Sequence, residues 1–460
     1  MRSYALLSVA MLMLGCKTGE PSPARPVFSP STNVPVAPKT GEPVATVTPP
    51  EAPTSPISLA ALKEAAAGDA EFAANLYKAS PSAGNRLMSP LSIRLAFAMT
   101  YAGAKGDTAT EMQRALALKG EPSVVHEGFR SLLGDFAARA KAPDVSQMQD
   151  WQRDQALRKV VTLRVANRIW GQTRKTFGPD FRALLETRYA APMEQLDFHN
   201  DTEGARKRIN GWVEEKTEKK IKDLIPPGML TPDVPLVLTN AVYFKAAWDN
   251  PFTESSTKQE DFFVDGAQAK KTAMMHSGGH RGYMEAPDAQ VLELPYSDGS
   301  LSMIVVLPKS KTGLKAIEDS LSGAKLSEWV TSLKRQLVTH AFPKFKFEAG
   351  LPALVDAMKA LGMKHAFTYP GADFSGIDGT HELFIGAAVH KTFIGVDEEG
   401  TEAAAATAVM MLAGSAPARE EPKSFVADHP FLFFIYDKKT ATVLFLGRVS
   451  DPTKSFEQRK

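Results

Sequence analysis

Two histidines, His276 and His280, have the spacing at which side chains can share a metal ion. Residues four apart lie on one face of a helix, where two imidazoles can bind zinc. The stretch around them, MMHSGGHRGY, contains two adjacent glycines, which disfavour a helix. The chain also lacks a glycine-rich phosphate loop and a G-x-S-x-G turn. The sequence therefore predicts neither a metal site nor an enzyme.

The lone cysteine, Cys16, follows a stretch with the pattern of a secretion signal. In MRSYALLSVAMLMLGC, one basic residue precedes an apolar run that is too short to span a membrane. A small residue directly before a cysteine is similar to a bacterial lipobox, although Met13 stands where leucine is usual. We expect residues 1–15 to be a lipoprotein signal peptide and Cys16 to carry the lipid. A plain signal peptide cleaved elsewhere is the alternative.

Residues 16–56 are rich in proline. Eleven of the 32 prolines in the chain fall between Pro21 and Pro56, a density that disfavours helix and sheet and favours extended polyproline II. We expect a tether between the lipid and a folded part at residues 57–460. The predicted location is the bacterial cell envelope after export, with a surface-exposed or secreted protein as open alternatives. The N-terminal lipid would be the only membrane contact.

The composition of the 460-residue chain, 43% hydrophobic and 23% charged with a net charge of +2, is typical of a globular protein with a large core. The small net charge argues against a nucleic-acid partner. Helical patterns, such as the one that Ser89 and Pro90 begin, are mixed with strand patterns such as SLSMIVVLPK. Because no regular βαβ repeat is visible, the sequence predicts an α+β fold.

A stretch of small residues, uncharged apart from Glu402, follows Gly400. Its alternate residues are small or β-branched, which is compatible with a strand: Thr401, Ala403, Ala405, Thr407 and Val409. Glu402 alternates to the other side, where a charge is tolerated, and Gly400 gives the backbone freedom. From composition alone, a helix or a flexible loop is an equal alternative.

Seven separated motifs resemble those of the serpins and occur in serpin order. They span about residues 57–453 and read MSPLSIRLAFAMTYAGAKGDTATEM, LRVANRIWGQ, INGWVEEKTEKKIKDLI, LTNAVYFKAAWDNPF, PKFKFEAGLPALVDAMKALGM, VHKTFIGVDEEGTEAAAAT and ADHPFLFFIYDKKTATVLFLGRV. The resemblance implies a serpin fold with a large, five-stranded central mixed sheet, two smaller sheets and eight to nine helices. It also implies an exposed reactive loop, here at about residues 398–424.

The resemblance further implies suicide-type inhibition of serine-class endopeptidases. The target would cleave the reactive loop, and the cleaved loop would then insert into the central sheet as an extra strand and trap the acyl-enzyme. The serpin hinge, where insertion starts, corresponds here to Glu398, Gly400, Thr401, Glu402, Ala403, Ala404, Ala405, Ala406 and Thr407.

Two other groups of residues correspond to serpin sites. The polar cluster beneath the middle of the central sheet, expected to regulate strand separation, corresponds to Ser89, Ser92, Asn240 and His390. The insertion point, where the loop first enters the sheet, corresponds to Trp248, Thr257 and Lys344 together with Glu398. We expect Lys344 and Glu398 to form an ion pair there.

The usual length of a serpin loop places the cleaved bond at Gly414–Ser415. A slip of one or two residues gives Ala413 or Leu412, which would suit elastase-, subtilisin- or chymotrypsin-like enzymes. Arg419 would attract a trypsin-like enzyme but lies beyond Pro417, where the inserted segment would be too long.

A cysteine protease is an open alternative target. We expect a monomer that needs no cofactor. The alternative function is that of a non-inhibitory, serpin-fold binding or chaperone-like protein. An envelope hydrolase is the second rival, for which the sequence contains no catalytic constellation.

Overall fold

The computed structural model of the chain describes residues 59–264, 266–401 and 421–454. The predicted signal peptide and tether, the hinge from Glu402 to Thr407 and the candidate cleavage residues from Leu412 to Arg419 lie outside these ranges. Within them, no helix is both long and apolar enough to cross a membrane. The same residues contain no group of three or more His, Cys, Asp or Glu side chains placed to hold a metal ion.

The described residues form more helices than the eight or nine expected, because several are only one or two turns long. The α-helices are α1 (Leu59–Ala66), α2 (Asp69–Ala79), α3 (Pro90–Tyr101), α4 (Gly106–Ala115), α5 (Pro122–Arg139), α6 (Asp150–Arg158), α7 (Pro179–Tyr189), α8 (Thr202–Lys216), α9 (Leu314–Asp319), α10 (Gly323–Thr331), α11 (Leu354–Ala360) and α12 (Ser375–Asp378). Short 3-10 helices cover Glu254–Ser256 and His365–Phe367.

The strands form two sheets. They are β1 (Arg86–Met88), β2 (Thr162–Gln172), β3 (Glu194–Leu196), β4 (Leu236–Ala247), β5 (Lys258–Phe263), β6 (Ala269–Glu285), β7 (Ala289–Pro295), β8 (Leu301–Pro308), β9 (Lys334–Pro343), β10 (Phe345–Gly350), β11 (Ile385–Val396), β12 (Gly400–Thr401), β13 (Lys423–Val426), β14 (Phe431–Asp437) and β15 (Thr442–Val449).

The central sheet has the order β10-β11-β12-β4-β2-β3. It is mixed, because β11 and β4 run parallel, as do β2 and β3, whereas the other pairs are antiparallel. Five of its strands are the five expected from the serpin resemblance. The sixth, β12, has two residues and lies near the start of the segment predicted as the reactive loop.

The second sheet has the order β1-β15-β14-β8-β7-β6-β9-β13, with β5 paired to β6. The two smaller sheets that we expected are joined in one hydrogen-bonded network. The reason is the length of β6, whose 17 residues pair with β5, β9 and β7 in turn. His276 and His280 both lie in this strand, and His276 Nε2 contacts Glu260 at 2.9 Å.

Helix α3 is packed between the two sheets, against β2 and β4 on one side and β15 on the other. Ser89 caps its first turn by accepting a hydrogen bond from the Ser92 amide, and Pro90 occupies its first position. All twelve of its residues are buried, as its apolar sequence predicts.

Helix α8 covers the opposite face of the central sheet. Trp212 of α8 meets Trp170 of β2 edge to face, with ring centroids 5.4 Å apart. The central sheet is thus buried on both faces, so a strand that enters it needs suitable side chains on both sides.

Candidate functional site

The segment predicted as the reactive loop begins inside the central sheet. Strands β11 and β4 pair directly from Ile385 to Phe393 of β11, and beyond that point β12 lies between them. Thr401 pairs with Val396 of β11 on one side and with Ala246 of β4 on the other. The first residues of the loop therefore already form the first rung of a strand between β11 and β4.

Gly400 stands where the backbones of β12 and β4 lie very close together. A Cβ atom at this position would lie 2.2 Å from the carbonyl oxygen of Ala246 and 2.8 Å from the Cα of Ala247. Both are backbone atoms of β4 and cannot move aside easily. We expected the glycine to provide flexibility, but the structure gives a different reason, since no larger residue fits.

The side chain of Thr401 points into the core and is completely buried. Its hydroxyl lies 2.7 Å from the hydroxyl of Tyr296, which burial keeps protonated by raising its pKa. The Tyr296 ring stacks on Trp248 with centroids 4.6 Å apart. No sequence pattern indicated Tyr296, because this residue follows β7 and comes close to the hinge only in the folded chain.

The four residues expected at the insertion point lie together. Lys344 Nζ is 2.6 Å from a carboxylate oxygen of Glu398, the ion pair that we expected, and the hydroxyl of Thr257 donates to the other oxygen at 2.7 Å. Burial raises the pKa of Glu398, but these two donors outweigh it and the net pKa is lowered. The indole of Trp248 donates to the Asp397 carbonyl at 3.0 Å. The turn before β12 is therefore held on several sides.

Arg158, at the end of α6, is a further contact that sequence reasoning missed. Its guanidinium lies 3.4 Å from the carboxylate of Glu399 and 3.3 Å from the carbonyl oxygen of Trp248. Residues 140–161 carried no motif, so only the fold reveals that this segment reaches the hinge.

The four residues of the predicted polar cluster also lie together, beneath the middle of the central sheet. The Ser89 amide donates to His390 Nε2 at 3.1 Å. An amide can only donate, so Nε2 must be unprotonated and the proton of the ring is on Nδ1. Nδ1 contacts the side-chain oxygen of Asn240, its register partner across β11 and β4. This hydrogen bond joins β11 and β4, the two strands that the predicted loop insertion would separate.

Asn167 of β2 completes the cluster. Its side-chain nitrogen donates to the carbonyl of Ser92 at 3.0 Å, and its oxygen accepts from the Ser92 hydroxyl at 3.1 Å and from the Asn240 amide. We did not predict this residue. A polar side chain in the middle of the strand pattern LRVANRIW was the available signal.

We expect protonation of His390 to weaken the fold in acid. Burial lowers its pKa from the ordinary 6.5 to about 3. Between these values the unfolded chain binds the proton and the folded chain does not. The folded state therefore keeps its full stability, as far as His390 is concerned, above pH 6.5, and it loses stability as the pH falls toward 3. The slope for one such group is about 1.4 kcal/mol per pH unit.

Urea unfolding between about pH 6 and pH 4 measures this slope in the wild type and in His390→Gln. As the pH is lowered, we expect the free energy of unfolding of the wild type to fall more steeply than that of His390→Gln, by about 1.4 kcal/mol per pH unit. His126 and His340, whose pKa values burial lowers to about 4, act equally in both proteins and cancel. Parallel curves would show that His390 does not titrate as described.

A family model described as Serpin (serine protease inhibitor) matches residues 67–452. An uncharacterized serpin-like protein of Thermococcus kodakarensis is 36% identical over 457 residues, covering 98% of this chain and 99% of that protein. The leukocyte elastase inhibitor of Bos taurus is 39% identical over 403 residues, covering 85% of this chain and all of that protein.

Solved structures agree in fold. Serpin48 of the insect Tenebrio molitor superposes with a TM-score of 0.72 at 32% identity and covers 84% of this chain and 98% of its own. Uncleaved ovalbumin superposes with a TM-score of 0.71 at 27% identity and covers 85% of this chain and 100% of its own. The chain is therefore a member of the serpin family, with the α+β fold of that family.

Proposed function

We propose that this chain is a suicide-type inhibitor of serine-class endopeptidases that inserts its cleaved reactive loop between β11 and β4. The observation that carries the proposal is β12, because Gly400 and Thr401 already occupy the first rung of that gap. An inserting strand would lengthen an existing ladder and would not need to start a new one.

The register of β12 indicates where each following residue would go. Continued antiparallel pairing would place Ala403 between Ile394 and Phe244, and Ala405 between Thr392 and Val242. The four partners are buried, and Ile394, Phe244 and Val242 belong to the core between the two sheets. Alanine suits these positions because a close-packed core has little room for a new side chain.

The same register would bring Thr407 between His390 and Asn240. Insertion must break the His390–Asn240 hydrogen bond, because β11 and β4 separate at that rung. A threonine hydroxyl both donates and accepts, so Thr407 can satisfy both side chains. A buried polar pair left without partners would be costly. The position of this threonine among the alanines thus supports the insertion mechanism.

The charge of Glu402 is compatible with insertion as well. It would face the side of the sheet covered by α8, beside Lys245, which is half-buried on β4. The lysine can offset the carboxylate. Each of the new ladder hydrogen bonds contributes about 0.5–1.5 kcal/mol. Ten of them approach the stability of a whole domain, roughly 5–15 kcal/mol, so capture would be irreversible in practice.

For the target, we propose an elastase-, subtilisin- or chymotrypsin-like serine protease that cleaves Gly414–Ser415 and forms a one-to-one complex. Leu412, Ala413 and Arg419 remain the alternative recognition residues. The name of the bovine relative, a leukocyte elastase inhibitor, supports an elastase-like target at 39% identity.

A protease panel tests this proposal. We expect one or more elastase- or subtilisin-type enzymes to give an SDS-resistant covalent complex and to release a C-terminal fragment that begins at Ser415. Mass spectrometry of the fragment identifies the cleaved bond. Cleavage between Ala418 and Glu420 would contradict the assigned bond. Cleavage by many proteases without a covalent complex would contradict inhibition and favour the non-inhibitory alternative.

We also propose that the protein is exported and anchored in a bacterial envelope through a lipid on Cys16, with residues 16–56 as the tether. The apolar run that ends in Gly-Cys supports this proposal. Cys16→Ser should move the protein from the detergent phase to the aqueous phase in detergent partitioning. Thr18→Ala, two residues away, is the matched control and should not change the partitioning. If Cys16→Ser stays in the detergent phase, Cys16 is not the anchor.

A further inference from the structure

Helix α6 belongs to a segment that reaches the hinge through Arg158. None of the nine residues of α6 is fully buried, so packing into the core does not explain the position of the helix. At its end, the hydroxyl of Ser297 donates to the carbonyl of Arg158. The amide of Ser297 in turn donates to the carbonyl of Ala247 at 2.9 Å. The backbone of Arg158 is thus fixed beside the end of β4.

The guanidinium of Arg158 bridges the two sides of the first rung. One nitrogen faces the carboxylate of Glu399, in the turn that leads into β12, and the other faces the carbonyl of Trp248, just after β4. The Trp248 amide donates to the Glu399 carbonyl at 2.9 Å, so these two residues already extend the β4–β12 ladder. The side chains of Arg158 and Glu399 are only 18% and 12% exposed, which strengthens their attraction relative to a surface pair.

We propose that Arg158 is a positioning residue that holds the hinge in the first rung before the loop is cleaved. The inference rests on the proposed function, because its consequence is kinetic. After cleavage, loop insertion competes with hydrolysis of the acyl-enzyme. If the hinge already occupies the first rung, insertion is faster than hydrolysis and the protease is trapped. If the hinge has left the gap, insertion is slower, the acyl-enzyme is hydrolysed and the chain is consumed as a substrate.

The test compares Arg158→Gln with Arg153→Gln on the same helix, whose partner is the exposed Asp150. The first measurement needs no protease. A synthetic peptide with the sequence of residues 401–412 should anneal into the central sheet only when the chain's own Thr401 leaves the first rung. Annealing is followed by the rise in melting temperature. We expect Arg158→Gln to anneal about two to five times faster than the wild type, as loss of one ion pair implies, with Arg153→Gln unchanged.

The second measurement is the stoichiometry of inhibition with a protease that the panel identifies. We expect the ratio of hydrolysed to trapped inhibitor, which is the stoichiometry minus one, to rise about two to five times in Arg158→Gln, while the rate of loop cleavage stays the same. Arg158→Lys, which keeps the charge but not the fork of two donors, should lie between the wild type and Arg158→Gln in both measurements.

The two measurements separate this proposal from the proposed function. Faster annealing of the peptide to Arg158→Gln without any trapped protease would support the positioning role of Arg158 and would contradict the proposed inhibitory function. If Arg158→Gln anneals the peptide at the wild-type rate, Arg158 does not position the hinge, whatever the result of the protease panel. Faster annealing combined with an unchanged or lower stoichiometry would also overturn the proposal, because a merely loosened sheet would accept peptide and loop alike.

Discussion

The architecture of this protein depends on the gap between β11 and β4. The two strands pair directly along most of their length and separate only where Gly400 and Thr401 enter. At that point the backbones are so close that a single methyl group at residue 400 would collide with β4. The gap is therefore open by one rung, and the fit at that rung already requires a glycine followed by a small inward-facing side chain.

The polar cluster lies beneath the same sheet, in a core that is otherwise apolar. His390 and Asn240 join β11 to β4, and Ser89, Ser92 and Asn167 satisfy their remaining donors and acceptors. Such a network is stable only while every member has a partner. In the proposed mechanism the network would resist a partial opening of the sheet and would accept a strand that brings a hydroxyl to the same rung. The proposal therefore requires a small residue at position 401 and a hydroxyl at position 407.

The fold class and the residues of the hinge and the insertion point could be predicted from the sequence, because local patterns and motifs in a characteristic order indicate them. Ser89 and Pro90 begin α3 as predicted, and Lys344 pairs with Glu398. Contacts that depend on distant segments could not be read in this way. Tyr296 and Arg158 come close to the hinge only in the folded chain. The two smaller sheets are joined because β6 is long, and its glycines prevented the sequence pattern from indicating one continuous strand. The reason for Gly400 could not be inferred from the sequence either, because a close approach of two backbones and a need for flexibility both favour glycine.

The central claim is that the loop can become a strand between β11 and β4, and the melting temperature after a single cut within residues 402–420 tests it most directly. About ten new ladder hydrogen bonds should add on the order of 10 kcal/mol, which corresponds to a rise of roughly 10 °C in a chain of this size. Thr401→Arg, which places a charge in the buried first rung, should abolish the rise. An unchanged melting temperature of the cut wild-type protein would contradict the account.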